Sequence, residues 1–261
     1  MIIPIEAILV VLLITARLIG MVMISPFFNN EKLFISPLKV AFLVFLAGLI
    51  SVMIPLPDAL PTTWLTLIIA VLLEIAIGYS VGFILQVLIA GIELAGFLID
   101  TQAGISASSL FDPIRGDQVT IIASLYRRLA VLVLILLDGH HMMLLALRST
   151  FEIIPLGMGH VLGRNYFGYI AELGSIIFEI GWRFSAPVLI IIFFVDFGFG
   201  MLSRIASQVN VFQLSFQLKP IVMLGIVMLI IPLFIQDMAE LLNRFPTMLG
   251  DWLASGGAYG R

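Results

Sequence analysis

The chain is 261 residues long, 61% hydrophobic and only 11% charged, where ordinary soluble domains are about 45–50% apolar and 25% charged. A mean hydropathy of +1.19 and a formal net charge of -3 place it in a membrane or inside a membrane-bound assembly, and leave no basic surface for nucleic acid. The absence of cysteine excludes a disulfide framework, thiolate catalysis and thiolate metal sites.

The first apolar run, Ile5 to Ile24, has no basic residue ahead of it and no small-residue cleavage pattern, so it reads as a retained helix. A second runs from Leu38 to Ile54 and is closed by "PLPDALP". The third, Trp64 to Ile99, far exceeds the roughly 20 residues that cross a bilayer core. It is a hairpin, a strongly tilted helix or a helix projecting past the lipid; the absence of any turn signal favours the last two. Gly78, Gly82, Gly91 and Gly96 offer places for close packing.

A polar interruption follows, "DTQAGISASSLFDPIRGDQV" from Asp100 to Val119. Beyond it, Val119–Leu137 and His140–Ile154 read as short helices joined through "DGH" as a tight hairpin. "PLGMGHVLGRNYFG" reads as a second irregular connection. The last apolar runs are Glu172–Leu202 and Lys219–Leu242, joined by "SRIASQVNVFQLSFQL" and followed by a Gly-rich tail, 251–261, that reads as flexible. The two most basic connections fall on opposite sides of a simple serpentine, so either one run crosses twice or some runs do not cross.

Glu74, Glu93, Arg127, Arg128, Glu179, Arg183 and Asp196 lie inside apolar runs, where an isolated charge costs at least about 2.5–3.5 kcal/mol at the bilayer centre. Glu179 and Arg183, four apart, are placed to pair with each other. Arg127 and Arg128 have no acid close by in their own helix and are expected to face other chains, headgroups or water. "GYSVG", Gly78 to Gly82, lets two backbones approach. His140 and His141 lack further ligands for a metal, and no G-x-S-x-G elbow supports an enzyme, so no catalytic residue, metal or cofactor is expected.

The ordered landmarks "GFLIDTQAGISASSLFDP", "YRRLAVLVLILLDGHHMMLLAL", "STFEIIPLG" and "NVFQLSFQLK" resemble the FliR/SctT family of flagellar and injectisome export gates, over most of the chain. The resemblance implies an all-α, non-enzymatic subunit of the bacterial inner-membrane export gate, in a flagellar basal body or an injectisome base. Its helical hairpins would join a spiral assembly. It implies partners as well: several copies of two smaller helical proteins, a substrate-specificity switch protein, unfolded secretion substrates and membrane lipid. About residues 1–170 are similar to the larger partner and about 171–250 to the smaller.

The family places a plug in the loop corresponding to Gly104 through Gln118. There Gly104 and Gly116 permit bends, while Ser106, Ser108 and Ser109 satisfy backbone groups or water. Ile105, Leu110 and Phe111 can fill a constriction, with Ala107 among them, and Asp112-Pro113 ends the segment sharply. The resemblance further suggests partner contacts at Gly78, Gly82, Arg127, Arg128, Gln208, Asn210 and Phe212. The chain departs from the family at Ser207, where a proline often precedes the glutamine. Two alternatives stand beside the gate. One is a secondary transporter using Glu74, Glu93 or Asp196 as a proton-coupling carboxylate; the other is a scaffold that lines no pore.

Overall fold

The computed structural model describes residues 5–26, 36–54, 61, 63–105, 120–157, 164–206, 208 and 210–257. Eight helices follow in order among these: α1 (Ile5–Ile24), α2 (Ser36–Met53), α3 (Trp64–Gln102), α4 (Ile121–Leu136), α5 (Gly139–Ile153), α6 (Arg164–Ile205), α7 (Val211–Leu242) and α8 (Phe245–Gly257). No strand occurs among the described residues. Among the described residues, four helices are long and apolar enough to cross a membrane, or up to five if α4 and α5 count as one bent span. The chain is an all-α membrane protein.

The third apolar run is one unbroken helix of 39 residues, about 58 Å long at 1.5 Å per residue. No proline interrupts it, and the glycines that would weaken it in water are covered from outside, Gly78, Gly82 and Gly96 by neighbouring backbone and Gly91 by the Ile180 side chain. The expected hairpin at "DGH" is instead a bend. Asp138 takes a left-handed φ of 55°, and the helices on either side turn by 71°. α6 begins at Arg164 and α7 at Val211, so much of what reads as connection is helical. The polar residues of "NVFQLSFQL" hid a helix start that Asn210 marks: its Oδ1 accepts the Gln213 N–H at 3.2 Å, the ordinary task of an N-cap.

The tail is also a correction. Residues through Gly257 form α8, in which Phe245, Leu249, Trp252 and Leu253 are buried. Their i, i+4, i+7, i+8 spacing is an amphipathic stripe, and it holds α8 against α5. Residues 258–261 of the tail lie outside the described residues.

Two compact units divide the chain discontinuously. The first comprises Met1–Val87, Leu134–Gly174 and Leu242–Arg261. Here α1 and α3 run in parallel at backbone contact. A Cβ on Gly78 would strike the carbonyl of Arg17, one on Gly20 the carbonyl of Ile75, and one on Gly82 would lie 2.7 Å from the Met21 carbonyl oxygen. The "GYSVG" spacing thus packs α3 against α1 of the same chain.

The second unit comprises Leu88–Val133 and Ser175–Leu241. Gly91 is filled by Ile180 and Gly181 by Leu94, which brings α3 and α6 close. Tyr126, Phe184 and Phe234 form a buried aromatic centre, with ring centroids 4.5 Å apart for Tyr126–Phe234 and 4.9 Å for Phe184–Phe234. Outward rows such as Ile190, Phe193, Phe194 and Phe197 on α6 remain exposed, suited to lipid or to other apolar chains.

Candidate functional site: the base of the central loop

Within the second unit, both ends of the polar central segment are built with care. α3 closes at Ala103, whose N–H reaches the Ile99 carbonyl at 2.9 Å, and at Gly104, whose N–H reaches the Thr101 carbonyl at 3.2 Å. Gly104 holds φ +80, a left-handed end that glycine adopts without strain. One helical turn earlier, the side chain of Asp100 is fully buried and turned toward the start of α4. Its Oδ2 accepts the N–H of Ile122 at 2.9 Å and of Ala123 at 3.2 Å, and its Oδ1 lies 3.2 Å from the Ile122 nitrogen.

These are orphan N–H groups of the first helical turn, where a negative charge is favoured twice, by hydrogen bonding and by the helix dipole. The approach requires Gly96, since a Cβ there would collide with the backbone of Ala123. The loop therefore leaves and returns beside a single buried carboxylate.

An aromatic step stands next to this base. Phe216 of α7 lies 3.3 Å from where a Cβ on Gly104 would be, and its ring packs edge-on against Phe212 with centroids 4.8 Å apart. Phe212 is 74% exposed and Phe216 43% exposed. Gln208 and Asn210 are exposed as well. Of the loop residues singled out from sequence, Gly104 and Ile105 fall among the described residues; Ser106 to Pro113 and Gly116 lie outside them. Asn210→Ala should lower the stability of the α7 start by about 1 kcal/mol, read as faster amide exchange at Gln213 and Leu214 with the rest of α7 unchanged.

The family described as bacterial export proteins, family 1, matches residues 8–245 of this chain. The chain belongs to that family. Among its relatives, the flagellar biosynthetic protein FliR of Pectobacterium carotovorum subsp. carotovorum is 26% identical over 225 residues, 85% of each chain. FliR of Escherichia coli (strain K12) is 28% identical over 178 residues, 68% of each chain. The secretion system apparatus protein SsaT of Salmonella typhimurium is 26% identical, covering 74% of this chain and 73% of that protein.

The charges of this export-family chain are paired in ways that sequence spacing did not reveal. Arg127 donates to Glu93 at 2.8 Å, with both side chains 36% exposed: the acid that its own helix lacks sits on α3, 34 positions back, and the pair stays partly open to its surroundings. Arg128 is exposed. Asp196 pairs with Lys219. Glu179 and Arg183, by contrast, are both exposed and do not pair with each other, although their spacing allows it. An exposed pair of this kind is worth only about 0.2–0.5 kcal/mol, too little to fix two long side chains.

The buried cation among the described residues was not singled out from sequence. Arg17 of α1 is 0% exposed and Glu74 of α3 1% exposed. Arg17 Nε donates to Glu74 Oε2 at 2.5 Å, its Nη1 to Thr150 Oγ1 at 3.2 Å and its Nη2 to the Ile154 carbonyl at 3.1 Å. The guanidinium also lies 4.2 Å from the centre of the Phe151 ring. Glu74 Oε1 accepts the Gly157 N–H at 3.0 Å. An arginine inside a largely apolar helix of 20 residues was the available signal. Each carboxylate weighed for proton coupling thus has its own cation. Among the described residues, no three His, Cys, Asp or Glu side chains are grouped to hold a metal ion.

Proposed function

We propose that this chain is a subunit of the inner-membrane gate of a type III export apparatus, and that its central loop seals the passage for unfolded substrate proteins when export is idle. The observation that carries this reading is the base of the loop. A Gly- and Ser-rich segment inside an otherwise apolar chain leaves α3 at Gly104 and returns at α4 beside the same buried carboxylate. Such a segment offers apolar side chains to exclude ions and polar atoms to bind water once it moves aside. Membership in the export family, and relatives named for flagellar biosynthesis and a secretion apparatus, support it.

In the same reading the chain performs no covalent chemistry and assembles with two smaller helical proteins, after whose folds about residues 1–170 and 171–250 are built. It also meets a substrate-specificity switch protein, and the apparatus is flagellar in preference to injectisome. The exposed Phe212 and Phe216, with Gln208, Asn210 and Arg128, face partners or the passage. Shortening the loop between Gly104 and Gln118 should leave the complex assembled but make the membrane leaky to small ions. A tight membrane with normal secretion would sink the gate role and favour a scaffold.

A further inference from the structure

We propose that Asp100 is the positioning residue of the central loop: its buried carboxylate, seated on the N–H groups of Ile122 and Ala123, ties the loop's end to its start. This rests on the reading of that loop as a seal. Helix starts are ordinarily capped by the residue just ahead of the first turn. In α4 that residue is Thr120, whose carbonyl already accepts the Ser124 N–H at 3.1 Å. The N–H groups that a side chain at 120 would serve are taken by an acid 22 and 23 positions upstream.

A local cap would stabilise α4 equally well; a remote one adds a constraint between two helices. The backbone contact at Gly96 brings the helices close enough for it, and full burial keeps water from competing for the carboxylate. The loop therefore springs from a fixed frame. Holding the two ends of a segment together lowers the entropy lost when it orders, so the tie at Asp100 favours the seal.

The decisive variant separates tether from cap. Asp100→Ala removes both. Asp100→Ala combined with Thr120→Asp restores a carboxylate to α4 from its own N-cap position but leaves the loop ends untied. In the assembled complex in membranes, with sodium leak as the readout, both variants should leak more than wild type, by roughly fivefold to thirtyfold for the loss of interactions of this size. The combined variant should recover normal assembly, measured by copurification.

Spin labels on cysteines introduced at the exposed positions Gln102 and Ile121, in a chain that has none of its own, should report a broadened distance in both variants. A leak abolished by Thr120→Asp would make Asp100 a plain helix cap and overturn the proposal, as would an unchanged distance. If the shortened loop leaks while the combined variant does not, the proposal fails and the seal stands. If the shortened loop does not leak either, the seal itself fails, and the label distance alone decides whether Asp100 ties the helices.

Discussion

Replacing Glu74 with alanine is expected to cost the first unit about 3–5 kcal/mol, the penalty for leaving a buried charge without its partner. Arg17 has no water to turn to, being fully buried beneath Phe151, and the Gly157 N–H loses its acceptor. Arg17→Ala should be comparably severe, because it strands Glu74 and releases both Thr150 and the Ile154 carbonyl. Removing both charges together, as in Arg17→Met with Glu74→Leu, should cost clearly less than the sum of the single changes. The desolvation of two ions then disappears along with their attraction.

Thermal unfolding of the purified protein, supported by its resistance to protease, measures all three. The same experiment bears on transport. A proton-coupling carboxylate would lose activity with its fold intact, whereas Glu74 is expected to lose the fold first. This knot gathers α1, α3 and α5 with the turn at Ile154–Gly157 around one guanidinium, and it engages both Glu74 oxygens, Oε2 with Arg17 and Oε1 with the Gly157 N–H.

The helices were legible because the chain alternates long apolar runs with proline- and glycine-rich punctuation; α1 matches its run, Ile5 to Ile24, at both ends. Two misreadings have one cause. In α8 and at the start of α7, polar and glycine residues suggested coil, although the spacing of Phe245, Leu249, Trp252 and Leu253, and the Asn210 cap, were there to be read. Pairings were much less accessible. Arg17 with Glu74 spans 57 positions, Glu93 with Arg127 34, and Asp100 with Ile122 22. Periodicity tells which face a side chain occupies but not which helix meets that face. The acid ahead of the loop was visible as a landmark, yet its task depends on Gly96 letting α4 come within reach, and no local rule joins those two residues.

Gly78→Ala is expected to destabilise by about 3 kcal/mol, the upper end of overpacking costs, although alanine is the better helix former by about 1 kcal/mol. The added methyl would meet the carbonyl oxygen of Arg17, and a backbone atom cannot move aside as a side chain can. α1 must shift as a whole, and its neighbouring contacts at Gly20 and Gly82 leave no slack. Glu74 lies one turn before Gly78 on α3, so the shift also pulls Arg17 out of register with its partner. The effect of Gly78→Ala should therefore shrink when Arg17 and Glu74 are both already apolar, a coupling that a double-mutant cycle on unfolding temperature detects. Gly48→Ala, where the new methyl meets nothing within 4 Å, should be neutral or slightly stabilising. Equal losses at 48 and 78 would show that helix glycines matter here for some reason other than the close approach of α1. The close approach and the buried ion pair are thus coupled: a methyl added at 78 displaces α1, and Arg17 moves with it.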